Sequence, residues 1–254
     1  MRDNFQSCLV VTLAYEGGLS TDKRDPGNWT GGKVGKGTLR GTYKGISAAA
    51  YPNLDIRNLT NAQISDIYRK NYWAPVNGDG LAKGVDLATF DAGVMSGPAR
   101  AKKWLLASVG GADHETVKRI CAKRLGFVQS LKTWVTFGRG WGSRIAAIEA
   151  KGVAWALAAV SSPKEVRTEL AREKVAADNK ANNQTAGAGT SGTATTAGGG
   201  DVIINPDHAD QIAGWLLGGL LAAGALVTAY LIIRAIINKR RAAAYAAEAE
   251  AVAG

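Results

Sequence analysis

Apolar positions near the start of the chain recur at helical spacing. Phe5, Cys8, Leu9, Thr12 and Leu13 fall on one face of an α-helix, Glu16 continues that face, and Gly17-Gly18 can turn left-handed and end it. A second helix is predicted from Asn61 to about Trp73. Thr60 can cap it, Gln63 completes a capping box, Ile64, Ile67, Tyr68 and Tyr72 form the apolar stripe, and Pro75 stops it. Helical periodicity returns from Asp86 to about Ser108. Ser162-Pro163-Lys164-Glu165 is another capping box, opening a helix to about Asp178 whose alternating charges mark a solvated spacer. Asn179 to Gly200 holds Asn, Gln, Thr, Ala, Gly and Ser with almost no apolar bulk, and predicts a flexible linker. Ile212 to Ile233 then runs 22 residues without a charge, long enough to cross a bilayer. The pattern predicts a mostly α chain with a C-terminal transmembrane helix.

Composition adds bounds. At 254 residues and 46% hydrophobic, the chain can bury a sizeable core in one or two domains. Its formal charge of +10 is unevenly placed: Met1 to Val160 holds 22 lysines and arginines against 12 acidic residues, which is the whole excess. A basic surface favours polyanions, either nucleic acid or an anionic bacterial envelope. The chain has no Lys/Arg cluster interleaved with aromatics and no recognition-helix or zinc-finger spacing, so no nucleic-acid partner is expected. Cys8 and Cys121 lie on apolar helical faces and are expected to pack as small hydrophobes. His114 and His208 have no metal-ligand spacing, and neither a metal nor another cofactor is expected.

One stretch carries candidate chemistry: Glu16-Gly17-Gly18-Leu19-Ser20-Thr21-Asp22-Lys23-Arg24-Asp25-Pro26-Gly27, answered by Tyr43-Lys44-Gly45-Ile46-Ser47. A carboxylate at the end of an apolar helix is partly desolvated and sits at the negative end of the helix dipole. Both effects favour its protonated form, as a general acid requires. A solvated last-turn glutamate is the commoner reading of the tripeptide alone. The longer pattern resembles the signature of glycoside hydrolase family 108, lysozyme-like enzymes with a Glu-Gly-Gly-(aromatic or aliphatic)-Ser-x-Asp-x-x-Asp-Pro-Gly opening and a Gly-Ile close. Where compact members run directly from one to the other, this chain inserts Asn28 to Lys44, rich in Gly, Thr and Lys.

The resemblance covers roughly Asn4 to Glu149. Its later part is carried by Phe90-Asp91, Ser96-Gly97-Pro98, Ala101, Trp104, Leu105, Arg124-Leu125-Gly126-Phe127 and Phe137 through Ile145, and is similar to the family's predicted peptidoglycan-binding module. Relatives usually show Asn where this chain has Met95. The resemblance implies a lysozyme-like helical domain that hydrolyses the β-1,4 bond between N-acetylmuramic acid and N-acetylglucosamine in peptidoglycan, in the manner of a phage endolysin in host lysis. It implies Glu16 as general acid, with Asp25 or Asp22 orienting a water or stabilising the transition state. Tyr43, Tyr72, Trp73 and Trp134 are candidate sugar contacts, although core packing is the commoner role for the aromatic cluster Tyr68, Tyr72 and Trp73, with stacking on sugar faces the alternative. A membrane-anchored, non-catalytic peptidoglycan-binding protein is the alternative, and a pore former a third reading.

The expected organisation is a catalytic region at 1–87, a peptidoglycan-binding-like helical module at 88–160, a spacer helix at 161–178, a linker at 179–211, a transmembrane helix at 212–237 and a basic, then Ala/Glu-rich tail at 238–254. Gly214, Gly218 and Ala222 form a small-residue face suited to helix-mediated self-association, and Trp215 and Tyr230 are interfacial anchors. Arg234 and Lys239-Arg240-Arg241 follow the span. The positive-inside rule then gives a single-pass protein of the host inner membrane with its catalytic domain in the periplasm. The N-terminus lacks the apolar run of a signal peptide, so an enzyme held in the cytoplasm by a tail anchor is the competing topology.

Overall fold

The computed structural model describes residues 4–194 and 209–253, with side chains over 4–188 and 225–253. Its helices are α1 (Phe5–Leu13), α2 (Asn61–Tyr68), α3 (Val85–Ser96), α4 (Pro98–Leu106), α5 (Asp113–Gln129), α6 (Trp134–Ala158), α7 (Pro163–Ala194) and α8 (Ala209–Ala251). A two-stranded antiparallel ribbon, β1 (Thr42–Tyr43) and β2 (Ile46–Ser47), lies between α1 and α2. The chain divides into two compact units, one of Met1–Leu131 with Trp155–Val160, the other of Lys132–Ala154 with Ser161–Gly254.

The first unit is organised on aromatic packing. Phe5 of α1 meets Trp73 edge-on at 5.3 Å and Phe90 of α3 at 5.9 Å, and Trp73 meets Phe90 at 5.5 Å. Contacts of this geometry add about 0.5–1.5 kcal/mol each beyond the area they bury. The Arg69 guanidinium closes the cluster from above, 4.2 Å from the centre of the Phe5 ring. Thr60 and Gln63 make the expected capping box at the start of α2. After Tyr68 the helix widens into a π-turn over Arg69–Trp73, in which the Ala74 N–H reaches back to the Arg69 carbonyl, and Pro75 then enters a 3₁₀ turn. This widening carries the helix past Tyr72 and buries Trp73.

Helix α3 is central: Val85 through Gly93 are all buried. Its Asp91 pairs with Arg124 of α5 at 2.7 Å, both side chains having no exposure, and the Met95 sulfur accepts from Arg124 at 2.8 Å. Met95 thus stands where an asparagine could also receive the guanidinium. Since the aromatic core needs Phe90, the expected boundary between 87 and 88 falls inside α3. Residues 88–160 are divided between the two units and do not stand as a module of their own.

In the second unit α7 packs along α8. Ser162 and Glu165 form the capping box that opens α7, but the helix continues to Ala194, through residues whose composition predicts a linker. The physical reason is visible in its buried positions. Leu170, Ala177, Ala181 and Ala188 repeat at coiled-coil spacing, so the small side chains of a linker-like composition form a seam, and alanine is the best helix former. Residues 195–208 of the expected linker lie outside the described residues.

Among the described residues no helix is long and apolar enough to cross a membrane, which corrects the expected transmembrane helix at 212–237 and with it the membrane partner. Part of the apolar stretch has a protein surface instead. Ala235 and Ile237 are buried, Asn238 donates to Gln184 at 2.9 Å, and Lys239 pairs with Asp178 at 2.9 Å. Further along α8, Arg241 and Tyr245 both donate to Glu149 of α6, the Tyr245 hydroxyl at 2.8 Å. The expectation had assumed that nothing was left to pack on this stretch, whereas α7 runs along α8; Leu226, Val227, Tyr230, Ile232 and Ile233 nonetheless stay exposed. The side chains of Gly214, Trp215, Gly218 and Ala222 lie outside the described residues.

Candidate active site

Helix α1 ends at Leu13, and two turn bonds carry the chain on: Tyr15 N–H to the Thr12 carbonyl at 3.1 Å and Glu16 N–H to the Leu13 carbonyl at 3.2 Å. Glu16 therefore stands three residues beyond the helix, whose face it does not extend. The helix stops at Leu13 with Ala14 as its cap, and Gly17 and Gly18 are not left-handed, so the expected glycine stop is not what ends it. From there the segment lies against the ribbon. Ser20 and Thr42 exchange two backbone hydrogen bonds of 2.8 and 2.9 Å, and Lys44 N–H donates to the Gly17 carbonyl at 3.2 Å.

The turn between β1 and β2 is Lys44-Gly45, with φ of 49° and 72°. A two-residue hairpin turn needs positive φ at both positions to match the twist of its strands, which glycine allows without strain. The absence of a side chain also makes room. A Cβ on Gly45 would lie 3.3 Å from Glu16 Oε2 and 3.2 Å from the Tyr68 hydroxyl, so the turn, the carboxylate and the phenol meet at one point. Tyr68 is held there by donating to the Lys44 carbonyl at 2.8 Å, and the Lys44 ammonium reaches the Leu13 carbonyl at the end of α1 at 3.4 Å.

Tyr72 is half-buried beside Tyr68, with ring centroids 5.3 Å apart. Burial first, then Tyr51 and then the negative charge of Glu16 push its phenol up, which places Tyr72 within electrostatic reach of that carboxylate. Tyr51, whose hydroxyl accepts from Asn71, belongs to the same group. Sequence offers Tyr68 only within the aromatic cluster and gives no reason to place Tyr51 at the site. The available signal was the X-Gly pair between two β-prone residues, which predicts a hairpin and so the return of Tyr43 through Tyr51 past Glu16.

The two aspartates have different surroundings. Asp22 is held by Arg24, whose Nε and terminal nitrogen donate to its two oxygens at 3.0 and 2.8 Å and whose backbone N–H adds a third bond at 2.9 Å. These bonds bring its carboxyl down to about 2. Asp25 caps the short 3₁₀ turn Pro26–Asn28, accepting from Gly27 N–H at 2.8 Å through Oδ1. Its side chain is exposed, and no other hydrogen bond or ion pair engages it among the described residues. The fully buried Asn28 ties the loop together by donating to the Asp22 carbonyl at 3.0 Å. Gly27 accepts from Ala49 N–H at 3.0 Å, so the Asp25 turn is fixed just beyond β2.

Of the expected sugar contacts, Tyr43 and Tyr72 are half-buried in this region. Trp73 is corrected: at 1% exposure it is part of the Phe5–Phe90 core, its indole N–H spent on Asp79 at 3.0 Å, and it has no face to offer a sugar. Trp134 belongs to the second unit, where its ring covers Gly138 and lies 6.5 Å from Trp141. A cavity of about 310 Å³ opens at the other end of α1 from Glu16, lined by Asn4, Ser7, Lys83, Trp155, Ala158 and Ala159. Cys8 is buried and unbridged, as is Cys121, and burial pushes the Cys8 thiol up. Among the described residues no cluster of His, Cys, Asp or Glu could hold a metal ion.

The family described as glycosyl hydrolase 108 matches residues 9–97, which contain Glu16, Asp22, Asp25, the ribbon and the tyrosines. A solved structure, SagA of Brucella abortus, is 30% identical to this chain with a TM-score of 0.50, over 61% of this chain and 97% of SagA. A search of curated proteins finds no match.

Proposed function

The chain belongs to the glycosyl hydrolase 108 family, and we propose that it cleaves the β-1,4 bond between N-acetylmuramic acid and N-acetylglucosamine of peptidoglycan. The observation that carries the reading is the meeting of Glu16, the Gly45 turn and Tyr68 inside the matched residues, with half-buried Tyr72 in electrostatic reach. Glu16 serves as general acid: it protonates the glycosidic oxygen as the bond to the anomeric carbon breaks and positive charge builds on the sugar ring. Asp25 is the assisting carboxylate, because one oxygen is fixed by Gly27 and the other is left to face a water or the developing cation. Asp22 has both oxygens on Arg24 and serves as a clamp of the loop. Tyr43 and Tyr72 offer ring surface to the sugars.

The setting that goes with this reading is phage-mediated lysis of a bacterial host, the hydrolase acting in the periplasm where the wall is. Digestion of purified peptidoglycan by the full chain, followed by borohydride reduction and mass spectrometry, tests the bond. Reduced muramic acid at the new ends is the expected product. Reduced glucosamine there would assign the other glycosidic bond, and no new ends would leave a wall-binding protein.

A further inference from the structure

The insertion Asn28 to Lys44 folds as an ordered arm. Trp29 and Leu39 pair across its base, Thr30 N–H donates to the Thr38 carbonyl at 3.0 Å, and Gly31 N–H donates to Lys36 at 3.1 Å. Gly31 and Gly37 let the two sides close, since a Cβ on Gly31 would collide with Lys36 and one on Gly37 with Thr30. The arm is tied to the candidate site at its root. The Trp29 indole donates to the Lys23 carbonyl at 2.9 Å, Asn28 holds the Asp22 carbonyl, and the arm begins directly after the turn that Asp25 caps. On its far side Arg40 is committed to the Pro52 and Leu54 carbonyls at 3.0 and 3.3 Å.

What the arm presents is positive charge. No Asp or Glu occurs from Pro26 to Leu54. Arg24 is neutralised by Asp22, whereas Lys33 and Lys36 at the tip and Lys23 at the root are exposed and make no ion pair among the described residues. Val34, 58% exposed, stands between the tip lysines. An ordered backbone of this kind fixes where its lysines are attached before any partner arrives, which lowers the cost of binding.

We propose that this arm binds the carboxylates of the peptide stems on the glycan strand, making Lys33 and Lys36 determinants of specificity for stem-bearing over bare glycan. The inference rests on the reading of the substrate as peptidoglycan. Stems recur along the strand and carry free carboxylates, so an arm rooted beside Asp25 meets a fixed anionic feature near the bond being cut. Because the lysines are exposed, their contribution is screened by salt and acts mainly on KM.

The test compares the full chain with its Lys33→Gln/Lys36→Gln variant on two substrates free of other wall polymers: glycan strands with intact stems, and the same strands stripped by an amidase, which keep only the lactyl carboxylate on each muramic acid. Co-sedimentation with each at rising salt is measured alongside hydrolysis. The variant should show about a fivefold higher KM on stem-bearing strands at low salt, with unchanged kcat, no change on stripped strands and a shallower salt dependence of binding. Equal KM values on stem-bearing strands, or an equal loss on both substrates, would overturn the role of the arm. Binding that depends on the lysines only when wall-linked phosphate polymers are present would also overturn it, by assigning the arm to phosphate. Wild type that releases no reducing ends but still binds stems through the lysines would sink the hydrolytic reading and keep the arm.

Discussion

Glu16 Oε2 lies 3.3 Å from where a Cβ of Gly45 would be, so the residue that lets the hairpin turn is also the one that leaves space for the carboxylate. Gly45→Ala would force a side chain into positive φ, at a cost of about 1–2 kcal/mol, and press it on both Glu16 and Tyr68. The expected outcome is a melting temperature lower by a few degrees and hydrolysis reduced at least tenfold. A thermal melt and a reducing-end assay read the two effects separately.

Asp22 and Asp25 should part company on mutation. Asp25→Asn should lower kcat strongly with little change in stability, while Asp22→Asn should act through the loop and be partly matched by Arg24→Ala. Equal kcat losses with both aspartate variants, at unchanged stability, would contradict the division of roles.

The Asp22 clamp also has a pH signature. Its folded carboxyl is depressed to about 2 from 3.8, chiefly by the Arg24 side-chain hydrogen bonds. A depressed carboxyl stabilises above the unfolded value, and the effect is lost as pH falls through the folded one. The Asp22 carboxyl carbon should therefore titrate near 2 by NMR, with the clamp intact down to about pH 4. In Arg24→Ala that midpoint should rise toward 3.8.

Asp91 and Arg124 form a pair with no exposure, so removing one partner leaves an uncompensated buried charge. Asp91→Ala or Arg124→Ala should cost about 3–5 kcal/mol in denaturant unfolding, and the joint replacement Asp91→Leu/Arg124→Met should cost much less than the two single losses together. Met95→Asn should be tolerated, since its side-chain oxygen can accept from the guanidinium in place of the sulfur.

Much of the fold was legible wherever one segment determines its own structure. Thr60-Gln63 and Ser162-Glu165 fix helix starts by local hydrogen bonds, and the face of Phe5, Cys8, Leu9 and Thr12 is buried as its spacing requires. What failed depended on a partner distant in sequence. The alanines of α7 look like linker until α8 supplies the other side of the seam, and the part of α8 from Ala235 to Tyr245 gives no local sign that Gln184 of α7 and Glu149 of α6 will bind it. In the site, the signature around Glu16, Asp22 and Asp25 was readable as a pattern, but nothing local tells Tyr72 from Trp73. The π-turn sends one toward the carboxylate and the other into the core.

The central claim is that Glu16 is the acid of a wall-cleaving glycoside hydrolase. Reducing-end release from purified peptidoglycan by the full chain, run beside Glu16→Gln, measures it directly. Release by wild type should fall by at least a thousandfold in the variant, with unchanged melting temperature and unchanged co-sedimentation with the wall. Undiminished release by a folded Glu16→Gln protein would contradict the assignment.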